Sequence, residues 1–115
     1  MHAANKVRWR MAIPVLVAAL LYSLSAGAEC VLPAAPSRIP DGSSATEQEM
    51  VAAMRTLKHY NDDVTEYTQC LEFEEHRNRL SIDVRQKRKD LALNTLAAVA
   101  AQFNEQVRRF KARHS

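Results

Sequence analysis

At 115 residues the chain has room for one small domain, and part of that length is expected to be removed. The formal net charge of +3 arises wholly from the first 28 residues, which carry Lys6, Arg8 and Arg10 and no acid. The remaining thirteen basic and thirteen acidic residues cancel, so charge supplies no case for a nucleic-acid partner.

The start of the chain has the three parts of a secretory signal: the basic end just named, an apolar segment from Met11 to Leu24, and Ser25-Ala26-Gly27-Ala28. Ala26 and Ala28 stand three and one positions before Glu29, a small-x-small pattern that predicts cleavage before Glu29. An uncleaved anchor is the rival reading. Pro14 interrupts the run, however, and the clean apolar part is shorter than the roughly 20 residues that span a bilayer. Any membrane association is therefore expected only through residues 1–28 before their removal, and a periplasmic or secreted location follows.

Residues 29–45 read as an arm. Pro33, Pro36 and Pro40 bias it toward extended polyproline II structure, and Pro40-Asp41-Gly42-Ser43 predicts a turn in which glycine is free to take a positive φ. Val31, Leu32 and Ile39 are unusual cargo for a mere linker.

From Ser43 to Ser115 there is neither proline nor glycine, over 73 residues. A run so free of breakers, with apolar residues at threes and fours, predicts long helix. Residues 46–115 are expected to form a hairpin of two antiparallel helices. Thr46 and Glu49 make the T-x-x-E pattern of a capping box, which starts the first helix. Its predicted seam is Met50, Met54, Leu57, Asn61, Val64, Thr68 and Leu71, spaced alternately by four and three. Ala53, Tyr60 and Tyr67 recur every seven residues on one flank with Cys70 beside them, where tyrosines more often pack at a core edge than line a ligand box.

The turn is predicted at Arg77 to Ser81, with Asn78 suited to a left-handed cap and Ser81 to the next N-cap; one helix continuous through Arg88 is the competing reading. The second helix passes through a basic run from Arg85 to Lys89 and turns apolar at Leu91. Its stripe is broader than one neighbour needs. Leu93, Leu96, Val99, Ala100, Phe103, Val107 and Phe110 are the predicted interaction face, which contacts the arm, a second copy in a four-helix bundle, or an unidentified periplasmic protein. The two halves are oppositely charged. Glu29 to Glu75 carries ten acids and three bases, and His76 to Ser115 ten bases and three acids, so an antiparallel fold sets opposite fields side by side.

Cys30 and Cys70 are the only cysteines. In an oxidising compartment an even count favours one intramolecular disulfide, with a bridge between two chains as the alternative. Sixteen residues of polyproline II reach about 50 Å, and Thr46 to Cys70 covers about 36 Å of helix, so the arm can run back along the first helix and be fixed near its far end. In that arrangement Val31, Leu32 and Ile39 lie over the tyrosine flank.

No pattern carries chemistry. Glu72 and His76 share a helix face with Glu75 adjacent, but Phe73 stands where the Glu-x-x-His pattern of di-iron bundles needs an acid, so solvated turn residues are the expectation. Asp62-Asp63 and Glu74-Glu75 read as helix-surface carboxylates, and His59 and His114 as solvated histidines. Nucleophile motifs, phosphate loops and dinucleotide fingerprints are absent, so neither an enzyme nor a cofactor is expected. The arm's P-x-x-P and I-P-D-G, the A-T-x-x-E-M start at Ala45, Y-x-x-C-L at Tyr67 and F-N-E-Q-V-R-x-F-K-A-R at Phe103 together resemble small secreted or periplasmic helical proteins of Gram-negative bacteria. The resemblance covers most of the chain after the signal. It implies compartment and fold, and it brings no activity with it. Two functional classes are carried forward: a non-catalytic scaffold or protein-interaction module, and a holdase-like chaperone or membrane-surface helix pair. Met50, Met54 and the alanine-rich helix beside a basic run motivate the second.

Overall fold

The computed structural model describes residues 29–115, and the expected signal segment, residues 1–28, lies outside the described residues. Two helices, α1 (Glu47–His76) and α2 (Ile82–His114), pack against each other as an antiparallel hairpin, with no strand among the described residues. The capping box forms as expected. Thr46 Oγ1 accepts from the Glu49 amide at 3.1 Å while Glu49 Oε2 accepts from the Thr46 amide at 2.9 Å, so two otherwise orphaned N–H groups are satisfied.

Between the helices the chain reverses at the predicted place. Asn78 adopts φ 57°, the left-handed region that asparagine tolerates better than other residues with a Cβ. The Arg79 amide donates to the Glu74 carbonyl at 2.9 Å and the Asn78 amide to the Glu75 carbonyl at 3.0 Å, the nested pair of a Schellman ending. Ser81 then accepts from the Val84 amide at 3.3 Å and opens α2.

The buried seam of α1 differs from the predicted one in every second position. Met50, Val64 and Leu71 are buried and Leu57 half-buried, as expected. The alternate positions are filled by Ala53, Tyr60 and Tyr67, while Met54 is 54 % exposed, Asn61 is exposed and Thr68 is half-buried. Helix α1 is thus rolled toward its tyrosine flank. Two partners pull it there, because α2 covers one side of the tyrosine row and the arm the other. Tyr60, Val64, Tyr67 and Leu71 form one cluster with Ala92 and Val99 of α2, against which Cys30 and Ile39 of the arm also pack. Ala45, Met50 and Phe103 make a second cluster nearer the start of α1, again in contact with Ile39.

The arm is fixed at both ends. Cys30 and Cys70 are joined by a disulfide with Cα atoms 5.7 Å apart, and Ala45 is buried against the hairpin. The sixteen residues from Cys30 to Ala45 therefore run back along α1 between Thr46 and Cys70, about 36 Å of helix, so the arm is extended without being a strand. Of its three apolar residues only Ile39 reaches the core. Val31 is 79 % exposed and Leu32 48 % exposed, which corrects the expectation that all three cover the tyrosines. Two residues beside a cysteine already committed to the bridge have little freedom to turn inward, and Pro33 and Pro36 occupy the half-buried positions that follow.

The turn before α1 also departs from expectation. Asp41 organises it: its carbonyl accepts from the Ser44 and Ala45 amides at 3.1 and 2.8 Å, and its Oδ1 from the Ser43 amide at 2.9 Å. Gly42 follows with an ordinary negative φ. Glycine is required there by proximity instead. A Cβ on Gly42 would stand 1.9 Å from the Gln106 carbonyl oxygen, and the Gly42 amide donates to Gln106 Oε1 at 3.0 Å. The arm thereby touches α2 as closely as backbone can, and an Arg113 guanidinium hydrogen bond to the Ala45 carbonyl closes the same end.

Candidate interaction face

Two parallel grooves run between any pair of packed helices, one on each side of the contact. In this protein the arm lies along one of them, from the Cys70 sulfur past Ile39 to Gln106 and Arg113. Among the described residues no segment lies in the opposite groove. It is lined by Met54, Leu57, Lys58 and Asn61 of α1 and by Leu93, Leu96, Ala97 and Ala100 of α2, with a volume of about 540 Å³. Leu93 is 42 % exposed at its rim.

The predicted interaction face divides between these two environments. Val99 and Phe103 are buried against α1, and Leu96, Ala100, Val107 and Phe110 are half-buried. Leu93, Leu96 and Ala100 line the open groove, while Phe110 carries the His114 ring at 4.2 Å between centroids. Met54, Lys58, Asn61 and Ala97 belong to the groove and were not foreseen as part of that face. A signal for Ala97 was in the sequence. In α2 the positions Gln86, Asp90, Leu93, Ala97, Ala100, Asn104, Val107 and Lys111 repeat at four and three, a second seam offset from the buried one at Lys89, Ala92, Leu96, Val99 and Phe103.

The polar residues near the turn are engaged with one another. Lys89 Nζ lies 3.0 Å from Glu72 Oε1, Arg85 Nε 2.5 Å from Glu75 Oε1, and Arg79 Nη1 3.7 Å from Glu74 Oε1. The first two pairs link the helices, as expected of an acidic strand of helix folded against a basic one. The Lys89 hydrogen bond and its positive charge hold the Glu72 carboxyl below the usual carboxylate range. Comparison with family models, curated proteins and solved structures finds no match. The site must therefore be read from its own chemistry.

That chemistry is one of surfaces. Asp62, Asp63, His59 and His76 are exposed, and among the described residues no group of three metal-ligating side chains is gathered at one point. A cleft beside the disulfide, lined by Glu29, Glu74, Arg79 and Arg88 with Leu71 and Leu80, is polar and partly occupied by the Arg79–Glu74 pair. No described helix is long and apolar enough to cross a membrane. What distinguishes the open groove is the absence of any polar pairing at its floor: methionine, leucine and alanine face solvent where a third or fourth element would ordinarily lie.

Proposed function

We propose that the protein is a non-catalytic helical interaction module that is exported to an oxidising compartment, with residues 1–28 as its signal, and that binds a helical partner in the groove opposite the arm. The observation that carries this reading is the groove itself, apolar at its floor and bordered by Met54, Leu57, Leu93 and Ala97. Its alanines let a helix approach closely and its methionine and leucines provide the apolar area. The intramolecular disulfide and the resemblance to small periplasmic helical proteins support the compartment.

A photo-crosslinking residue placed at Ala97 and, separately, at the outward-facing Asp62 tests the reading in the native compartment. Protein adducts are expected from position 97 and not from position 62. Equal yields at both positions, or none at 97, reject it. A second reading, a holdase or a surface-active helix pair, rests on the exposure of Leu91 and Met54 near basic side chains. It predicts suppression of client aggregation or binding to anionic vesicles, with loss of either on Leu91→Glu substitution.

A further inference from the structure

We infer that the occupant of the open groove is a second copy of this chain, docked about a two-fold axis parallel to the helices so that α1 of each copy lies on α2 of the other. The inference rests on the interaction reading above and names its partner. Charge selects the arrangement. Helix α1 carries eight acidic and two basic residues, a net of −6, and α2 three acidic and eight basic residues, a net of +5. Two hairpins facing groove to groove can be related by two-fold symmetry in two ways. One stacks α1 on α1 and α2 on α2, setting like fields together. The other sets each acidic helix on a basic one; both make every neighbouring pair in the four-helix bundle antiparallel, so charge alone separates them.

In the second arrangement register is not adjustable, because a closed two-fold parallel to the hairpin permits no slide along it. Levels are fixed by the contacts within one chain, where Ala45 meets Arg113, Glu72 meets Lys89 and Glu75 meets Arg85. Met54, Lys58 and Asn61 line the groove, and the same spacing of fours and threes continues their row through Glu47, Val51, Thr65, Thr68 and Glu72. At the same levels the second copy presents Lys111, Val107, Asn104, Ala100, Ala97, Leu93, Asp90 and Gln86. Glu47 therefore faces Lys111 and Val51 faces Val107. Asn61 falls beside Ala97, Thr65 beside Leu93, and no like charges oppose. Glu47 and Lys111 have no ion-pair partner within their own chain among the described residues, so the contact completes both.

The test joins sedimentation to cysteine pairing on the purified protein with its Cys30–Cys70 bridge intact. A concentration-dependent dimer is expected. Leu93→Glu should abolish it with helical circular dichroism unchanged, and Glu47→Lys should weaken it roughly tenfold, an effect reversed by adding Lys111→Glu. Mixed chains carrying Val51→Cys and Val107→Cys should form an intermolecular disulfide that neither chain forms alone. A monomer at all accessible concentrations overturns the inference, as does cross-linking between Leu93→Cys and Val107→Cys chains, the signature of α2 stacked on α2. In either event adducts at position 97 to a different protein would still uphold the interaction reading.

Discussion

Gly42 shows how one position can hold two elements in contact. Its amide donates to Gln106, and its missing Cβ leaves the space that the α2 backbone fills. Gly42→Ala should lower stability by about 1–3 kcal/mol, the usual cost of forcing a methyl into a filled site. Urea unfolding followed by circular dichroism reads this directly, and an unchanged midpoint would show that the arm can lift from α2 without penalty. Residue-scale features differed in how far the sequence exposed them. Asn78 and Ser81 act through local rules, the tolerance of asparagine for the left-handed region and of serine for an N-cap, so the turn was legible from five residues. The need for glycine at position 42 was hidden, because it depends on Gln106, which is 64 residues away and adjacent only after folding.

On the scale of single helices, periodicity gave α1 and α2 and the capping box their boundaries, but it placed the face of α1 one residue off in alternate turns. Both candidate rows, Met54-Asn61-Thr68 and Ala53-Tyr60-Tyr67, have the same spacing, and only a third element could decide between them. The arm decided for the tyrosines, whose rings offer more apolar area than asparagine and threonine. Tyr67→Ala should therefore cost about 3–5 kcal/mol, as large-to-small changes at buried aromatic sites do. Met54→Ala should stay within about 0.5 kcal/mol when measured at concentrations where the chain is a monomer, as expected of a position exposed in the single hairpin. Thermal denaturation of the two variants in parallel checks the assignment of faces, and the reverse ranking would return the seam to the methionine row. The open groove was only half legible for the same reason: the breadth of the α2 stripe announced an extra contact, and its location awaited knowledge of which side the arm takes.

For the molecule as a whole, stability is shared between a thin core, a covalent tether and a patch of ion pairs by the turn. The bridge closes a loop with a sequence separation of 40 residues. On chain-entropy grounds it contributes about 4 kcal/mol, so reduction, or Cys30→Ser with Cys70→Ser, should lower the unfolding free energy by an amount approaching that. The comparison to make is urea denaturation with and without a reductant. The ion pairs respond to acid. Because Lys89 holds the Glu72 carboxyl below its ordinary value of 4.5, the pair contributes stability above that value and loses it as pH falls through the lower titration point of the folded state. A Glu72→Gln variant should accordingly be less stable than the parent at neutral pH, with the gap closing in acid. A gap independent of pH would assign the effect to packing.

The sulfur bridge also decides how the protein bears load. Cys30 lies at the turn end of the hairpin, beside Cys70, whereas the last residues of α2 lie at the other pole, where Arg113 meets Ala45. Tension between whatever precedes Cys30 and the carboxyl end runs through the two sulfurs, round the turn and along α2. Residues Val31 to Gln69 sit outside that force path, so the covering strap and the first helix up to Gln69 would remain slack while its last turns and the second helix are stretched.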